Sequence, residues 1–147
     1  MKNLILLLII TCSIASFGQQ PKKTWKIIVK NTLKADENFT LVGRTLIEND
    51  YFIDSKDKEF LTIKSGAREV GNVSGRYFLT IAVRDSMIYV TGQTNADISI
   101  TMYGVKSESE FEKISNKGAR VSCMNIAFNH MNDFALKLGT NVEYVSE

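Results

Sequence analysis

The chain has 147 residues, of which 18 are Lys or Arg and 16 are Asp or Glu, for a formal net charge of +2. So balanced a chain sets up no long-range field to recruit nucleic acid or an anionic lipid surface. One Pro and nine Gly argue against low-complexity or repeat architecture, and a single composition regime without linker-like runs reads as one domain.

The first eighteen residues read as an export signal. Lys2 is a positive start, Leu4 to Ile10 is an unbroken apolar run, and Ser16-Phe17-Gly18 offers small residues for cleavage before Gln19. The run is broken at Thr11, Cys12 and Ser13, well short of the ~20 apolar residues of a membrane span. Removing 18 of 147 residues leaves a domain of 129, with Cys123 as its only thiol and no internal disulfide. The absence of disulfides points to a bacterial exported protein, periplasmic or secreted, whose stability rests on packing. Ile9-Ile10-Thr11-Cys12 also resembles a lipobox, so lipidation of Cys12 is the alternative to its removal. The mass of the mature N-terminus separates the two.

In the mature region, Thr24 to Asn31 alternates Trp25, Ile27 and Val29 with Lys26, Ile28 and Lys30, as a half-buried strand does. Asp36 reads as the N-cap of a helix whose stripe is Phe39, Val42 and Leu46, with Ile47 alongside, ending near Asn49. Gly43 on the same side would allow close approach to a sheet. Tyr51-Phe52-Ile53 opens a second strand, turned by Asp54-Ser55-Lys56-Asp57, and Glu59 to Ser65 is a third. Gly66 to Gly75 reads as a mobile loop.

Arg76 to Gln93 predicts a hairpin about an Asp85-Ser86 turn. That register pairs Val83 with Ile88 and Ile81 with Val90 on one face, and Ala82 with Tyr89 and Thr80 with Thr91 on the other. Asp97 to Tyr103 is a sixth strand, with Ile98, Ile100 and Met102 toward the core. Ser107 and Glu110 form a capping-box pair for a short helix carrying Phe111 and Ile114, interrupted at Gly118. Val121, Met124, Phe128, Met131, Ala135 and Leu138 then make the seam of a long helix from Ala119 to Leu138, closed by Gly139. The tail from Thr140 to Glu147 is either frayed or an edge strand.

This order, strand-helix-strands-helix, predicts an α+β two-layer domain: an antiparallel sheet of five to six strands with two main helices on one face and the other face uncovered. The residues Trp25-Lys26-Ile27-Ile28-Val29, Glu37-Asn38-Phe39-Thr40-Leu41-Val42 and Phe60-Leu61-Thr62-Ile63-Lys64, with the hairpin around Asp85, resemble the small exported Bacteroidota domains of unknown function that have a TATA-box-binding-protein-like, helix-grip fold. The resemblance spans residues 22 to 139 and implies that fold but no activity. Asp85-Ser86-Met87 also resembles a Bacteroidota O-glycosylation acceptor, which would make Ser86 a modification site; a plain turn is the competing reading.

Candidate chemistry is sparse. Cys123 and His130, seven residues apart on one helix, would stand ~10.5 Å apart along the axis, beyond the ~3 Å reach of a nucleophile and its base. Cys123 therefore reads as a small buried hydrophobe and His130 as a solvated histidine. A single histidine cannot build an imidazole-rich metal site, and Asp54, Asp57 and Glu59 lack the spacing of a calcium loop. No cofactor is expected, and the chain reads as a non-enzyme. What remains is the uncovered face, on which alternation places Lys26, Lys30, Phe60, Lys64, Phe78, Tyr89 and Tyr103 with Ile28, Thr62, Thr80 and Thr101. Aromatics among lysines and threonines suit capture of a protein or glycan partner in the envelope, or homodimerisation through that face, better than a core.

Overall fold

A computed structural model describes residues 20–96 and 110–147, together with the backbone of 100–102 and 105–107. The proposed signal with Cys12, and Tyr103 on the proposed binding face, lie outside the described residues. The chain is α+β. It runs β1 (Thr24–Lys30), α1 (Ala35–Glu48), β2 (Ile53–Asp57), β3 (Thr62–Ser65), β4 (Arg68–Glu69), β5 (Arg76–Arg84), β6 (Met87–Asn95), β7 (Ile100–Met102), β8 (Val105–Ser107), β9 (Glu112–Lys113), α2 (Cys123–Leu138) and β10 (Val142–Ser146). No helix among the described residues is long and apolar enough to cross a membrane.

The main sheet has eight strands rather than five or six, all antiparallel. Its order is β10-β1-β6-β5-β3-β2, with β4 added to β5 and β9 added to β6. The two additions share a cause. β5 and β6 are nine residues each, but β3 meets β5 only at Thr80 to Ala82 and β1 meets β6 only at Met87 to Val90. The remaining edge amides and carbonyls need partners. β4 supplies them to β5 at Tyr77 and Arg76, and β9 to β6 at Gln93 and Thr94.

This demand overturns two expectations. The stretch from Gly66 to Gly75 is not wholly loop: it contributes β4, and Val70 is buried with the core. The short helix around Phe111 and Ile114 does not form; Glu112–Lys113 is a strand, and the Ile114 amide donates to the Gly92 carbonyl at 2.9 Å. Ile114 is fully buried against Gly92, where a Cβ would stand 2.8 Å from Ile114 Cδ1 and 2.7 Å from the Phe78 carbonyl oxygen. A glycine lets the two strands and Ile114 close up there.

The β5–β6 hairpin has the predicted register in all four pairs, with Ser86 taking a φ of 61° in the turn. Elsewhere, boundaries move. Asp54 to Asp57 lies in β2 rather than in a turn, because Asp57 Oδ1 accepts from the amides of Glu59 and Phe60 and so delays the reversal. Leu61 completes that reversal at a φ of 52°. β7 pairs with β8 in a separate two-stranded ladder and does not extend the main sheet as a sixth strand. Ser107 lies in β8 rather than capping a helix. α2 begins at Cys123, not Ala119: Ser122 is its N-cap, accepting from the Asn125 amide at 3.2 Å, and Val121 is 75% exposed. The tail resolves as β10, an edge strand beside β1, tied to α2 by the Tyr144 hydroxyl donating to Asn132 Oδ1 at 2.9 Å.

α1 starts at Ala35, so Asp36 falls inside the first turn and does not cap it. The caps come from elsewhere. Glu37 accepts from the Lys34 amide at 2.9 Å, and Asp85, at the tip of the hairpin, accepts from the Ala35 amide at 2.8 Å. Buried Asn38 fastens the same junction: its amide donates to the Arg84 carbonyl at 3.0 Å, and its oxygen accepts from Asn31 at 2.6 Å. Phe39, Val42 and Leu46 are buried as expected, whereas Ile47 is exposed. Gly43 permits the expected close approach, a Cβ there lying 3.4 Å from Lys56 Nζ and 3.9 Å from Ile63.

Ile27, Val29, Ile63, Leu79, Ile81, Val83, Ile88 and Val90 form one face of the sheet, and all are fully buried with the apolar stripes of α1 and α2 in a single core. At ~25 cal/mol per Å² of apolar surface, this one layer supplies the main stabilisation.

Candidate functional site

The other face of the sheet is described by three cross-strand rows. Glu143, Ile28, Tyr89, Ala82 and Thr62 form one; Thr91, Thr80 and Lys64 the next; Lys113, Gln93 and Phe78 the third. Register alone thus brings Lys26, Lys30, Lys64, Phe78 and Tyr89, from four separate strands, onto one surface. These rings are half-buried, not exposed singly.

Four aromatic rings mark this surface. Lys64 Nζ lies 4.4 Å from the Phe78 ring centroid, and Phe78 meets Phe111 at 5.2 Å. Lys26 Nζ lies 4.9 Å from the Trp25 ring and 5.9 Å from Tyr89, while Lys113 Nζ is 4.4 Å from Trp25. Each ammonium held over a ring contributes about 0.5–1 kcal/mol at an exposed site and stiffens the array.

Trp25 belongs to this surface, contrary to the alternation that grouped it with Ile27 and Val29. β1 carries a register shift between Thr24 and Lys26 against β10, so Thr24 is the buried residue and Trp25 turns toward the lysines. Phe111 is the second aromatic that sequence reasoning missed, because it was assigned to a helix that does not exist. Phe60 moves the other way. It lies in the reversal between β2 and β3, 65% exposed, off the regular face.

The central strands β1, β5 and β6 present Lys26, Lys30, Arg76 and Arg84 to this face and no carboxylate. Carboxylates stand at the rim: Glu143 pairs with Lys30 at 2.6 Å, Glu147 with Lys113 at 2.5 Å and Asp54 with Lys64 at 3.7 Å. Lys30 and Lys113 hold the Glu143 and Glu147 carboxyls below their ordinary range through hydrogen bonding and charge. Lys26 and both arginines have no ion pair among the described residues.

The chain matches no family model and no curated protein.

The remaining candidates take structural positions. Cys123 is half-buried and polar in its contacts: its thiol donates to the Asn95 carbonyl at 3.2 Å and lies 3.3 Å from Thr94 Oγ1. His130 is not simply solvated. Its ring stacks on Tyr77 at 5.1 Å with planes 1° apart, and Nε2 is 3.2 Å from the Val70 carbonyl oxygen. The two residues contact different partners and do not form a pair. Ser86 is exposed, but its backbone is engaged, donating to the Leu33 carbonyl at 2.8 Å and accepting from the Asn31 amide at 3.0 Å. With Asp85 bound to α1, this turn has a structural task. No group of three metal-ligating side chains occurs among the described residues.

Proposed function

We propose that this protein is an exported, non-enzymatic binding module that captures an acidic glycan of the bacterial envelope through the sheet face opposite its helices. The observation that carries this reading is the combination on one rigid surface of four aromatic rings with cations whose central strands bear no carboxylate. Sugar rings stack on aromatic faces, and acidic substituents would displace Glu143, Glu147 and Asp54 from the lysines at the rim. The array is held in place by the sheet, so little ordering entropy opposes binding. Export is supported by the N-terminal pattern, and the small Bacteroidota domains that the sequence resembles share it.

The charge pattern disfavours the competing reading of an assembly subunit pairing through this face. In a two-fold arrangement a residue patch meets its own copy, so the central cations would meet cations.

The test is binding of the protein to immobilised polygalacturonate, with neutral dextran as control. Binding should weaken as salt rises from about 50 to 500 mM, because exposed charges are screened. Phe78→Ala combined with Tyr89→Ala should weaken it by about tenfold, equal to ~1.4 kcal/mol, with the unfolding transition retained. Equal capture by the double variant, or equal retention on dextran, overturns the reading.

A further inference from the structure

On the helix side, a polar cleft of about 360 Å³ is lined by the C-terminal end of α1 and residues of β4, β5 and α2. Its floor is aromatic. Tyr51 and Tyr77 are 7% and 2% exposed, Tyr51 meets Phe134 edge-on at 5.5 Å, and Tyr77 is stacked on His130. The two hydroxyls are 3.0 Å apart. One of them donates and the other accepts, so the accepting phenol keeps a proton with no acceptor among the described residues. Burial, reinforced by the neighbouring hydroxyl, holds Tyr77 above the ordinary phenol range.

Two cations flank the floor. The Arg68 guanidinium lies 4.3 Å from the Tyr51 ring centroid and donates one N–H to the Asn49 carbonyl at 3.0 Å. Lys137 donates to the Asn49 side chain. Guanidinium has five N–H groups and ammonium three, so each has donors in reserve. Four carboxylates, Glu48, Asp50, Glu69 and Asp133, also line the cleft, none of them in an ion pair among the described residues. The cations alone have a plain structural use, since positive charge at a helix C-terminus is stabilising. That use explains neither the spare phenol proton nor the unpaired carboxylates.

We propose that this cleft binds a small zwitterion of the free amino-acid class, its carboxylate taken by Arg68 and the tyrosine hydroxyl pair and its ammonium by Asp133 and Glu48. The site is separate from the sheet face and stands whether or not that face binds a glycan.

His130 is the only histidine in the chain, so its ring protons are a unique NMR reporter inside the cleft. The protein is titrated with each proteinogenic amino acid up to about 10 mM, a range in which even a millimolar site fills, with propionate and propylamine as single-charge controls. A saturable shift of the His130 signals with at least one amino acid, absent with both controls, is the expected result. Arg68→Gln and Asp133→Asn should each raise the apparent Kd about tenfold or more. The proposal is overturned by the absence of a saturable shift with every amino acid, by controls that act as well as the amino acids, or by Asp133→Asn binding unchanged. Asp133 is exposed, so that variant keeps its fold even if Arg68→Gln does not. A purely capping role for Arg68 would lower the unfolding midpoint and leave the Asp133 variant's titration untouched.

Discussion

The two faces of the sheet are built from the same strands and differ in almost everything else. Toward the helices, β5 presents Tyr77, Leu79, Ile81 and Val83, all at most 2% exposed. Away from them, the same strand presents Arg76, Phe78, Thr80, Ala82 and Arg84, all half-buried or exposed. One face carries the hydrophobic stabilisation, which leaves the other free to be chosen for its surface chemistry. Substitutions on the two faces should therefore separate into those that unfold the protein and those that only change what it holds.

The largest effect is expected on the helix face. Ile81→Ala leaves a cavity in the core layer and should cost about 2–5 kcal/mol in a urea unfolding experiment; a loss below ~1 kcal/mol would mean that the layer collapses to fill it. Next comes the junction of hairpin and helix. Asp85→Ala removes the acceptor of the Ala35 amide and should cost ~1 kcal/mol, whereas Asp36→Ala, which the sequence alone would single out, should cost less. A reversed order would show that the tertiary cap is not what holds α1.

pH sharpens the contrast further. Tyr77 is held above its ordinary value of 10.0 in the fold. The unfolded chain therefore releases that proton first as pH rises, so stability is full below pH ~10 and falls above it. Tyr77→Phe should flatten that alkaline decline in thermal melts followed from pH 8 to 11; an unchanged slope would assign the decline to other groups. The smallest effect belongs to the rim of the face opposite the helices. Glu143 is held below its ordinary carboxyl range by Lys30, so its contribution is present at neutral pH and fades as pH falls through that lowered value. The pair is solvent-exposed. Glu143→Gln should leave the neutral-pH midpoint unchanged within error, and a clear drop would show that β10 depends on this ion pair.

How much could be read in advance depended on how local the deciding interaction is. The β5–β6 register was legible because matched residues sit on both sides of one short turn, and a one-residue slip would bury Tyr89 and Thr80 while exposing Ile81 and Val90. Lys26, Lys30, Lys64, Phe78 and Tyr89 fell on one face for the same reason, since alternation along a strand is a local property. Trp25 escaped because a single register shift against β10, more than a hundred residues away, inverts the alternation. Phe111 and Ile114 escaped because their segment has helical spacing, yet the unpaired edge of β6 recruits it as β9. Periodicity describes what a segment can do alone; backbone groups left open elsewhere decide what it does.

By itself, then, the sequence determined the α+β class, the hairpin and most of the apolar stripe of each helix, because each depends on residues near one another in the chain. The tertiary structure alone decided that eight strands share the main sheet, that Asp85 caps α1 from fifty residues away and that His130 stacks on Tyr77. It also decided where the charges go. A count near zero conceals central strands bearing only cations on one side and a mixed-charge cleft on the other, because composition sums charges while folding sorts them by face.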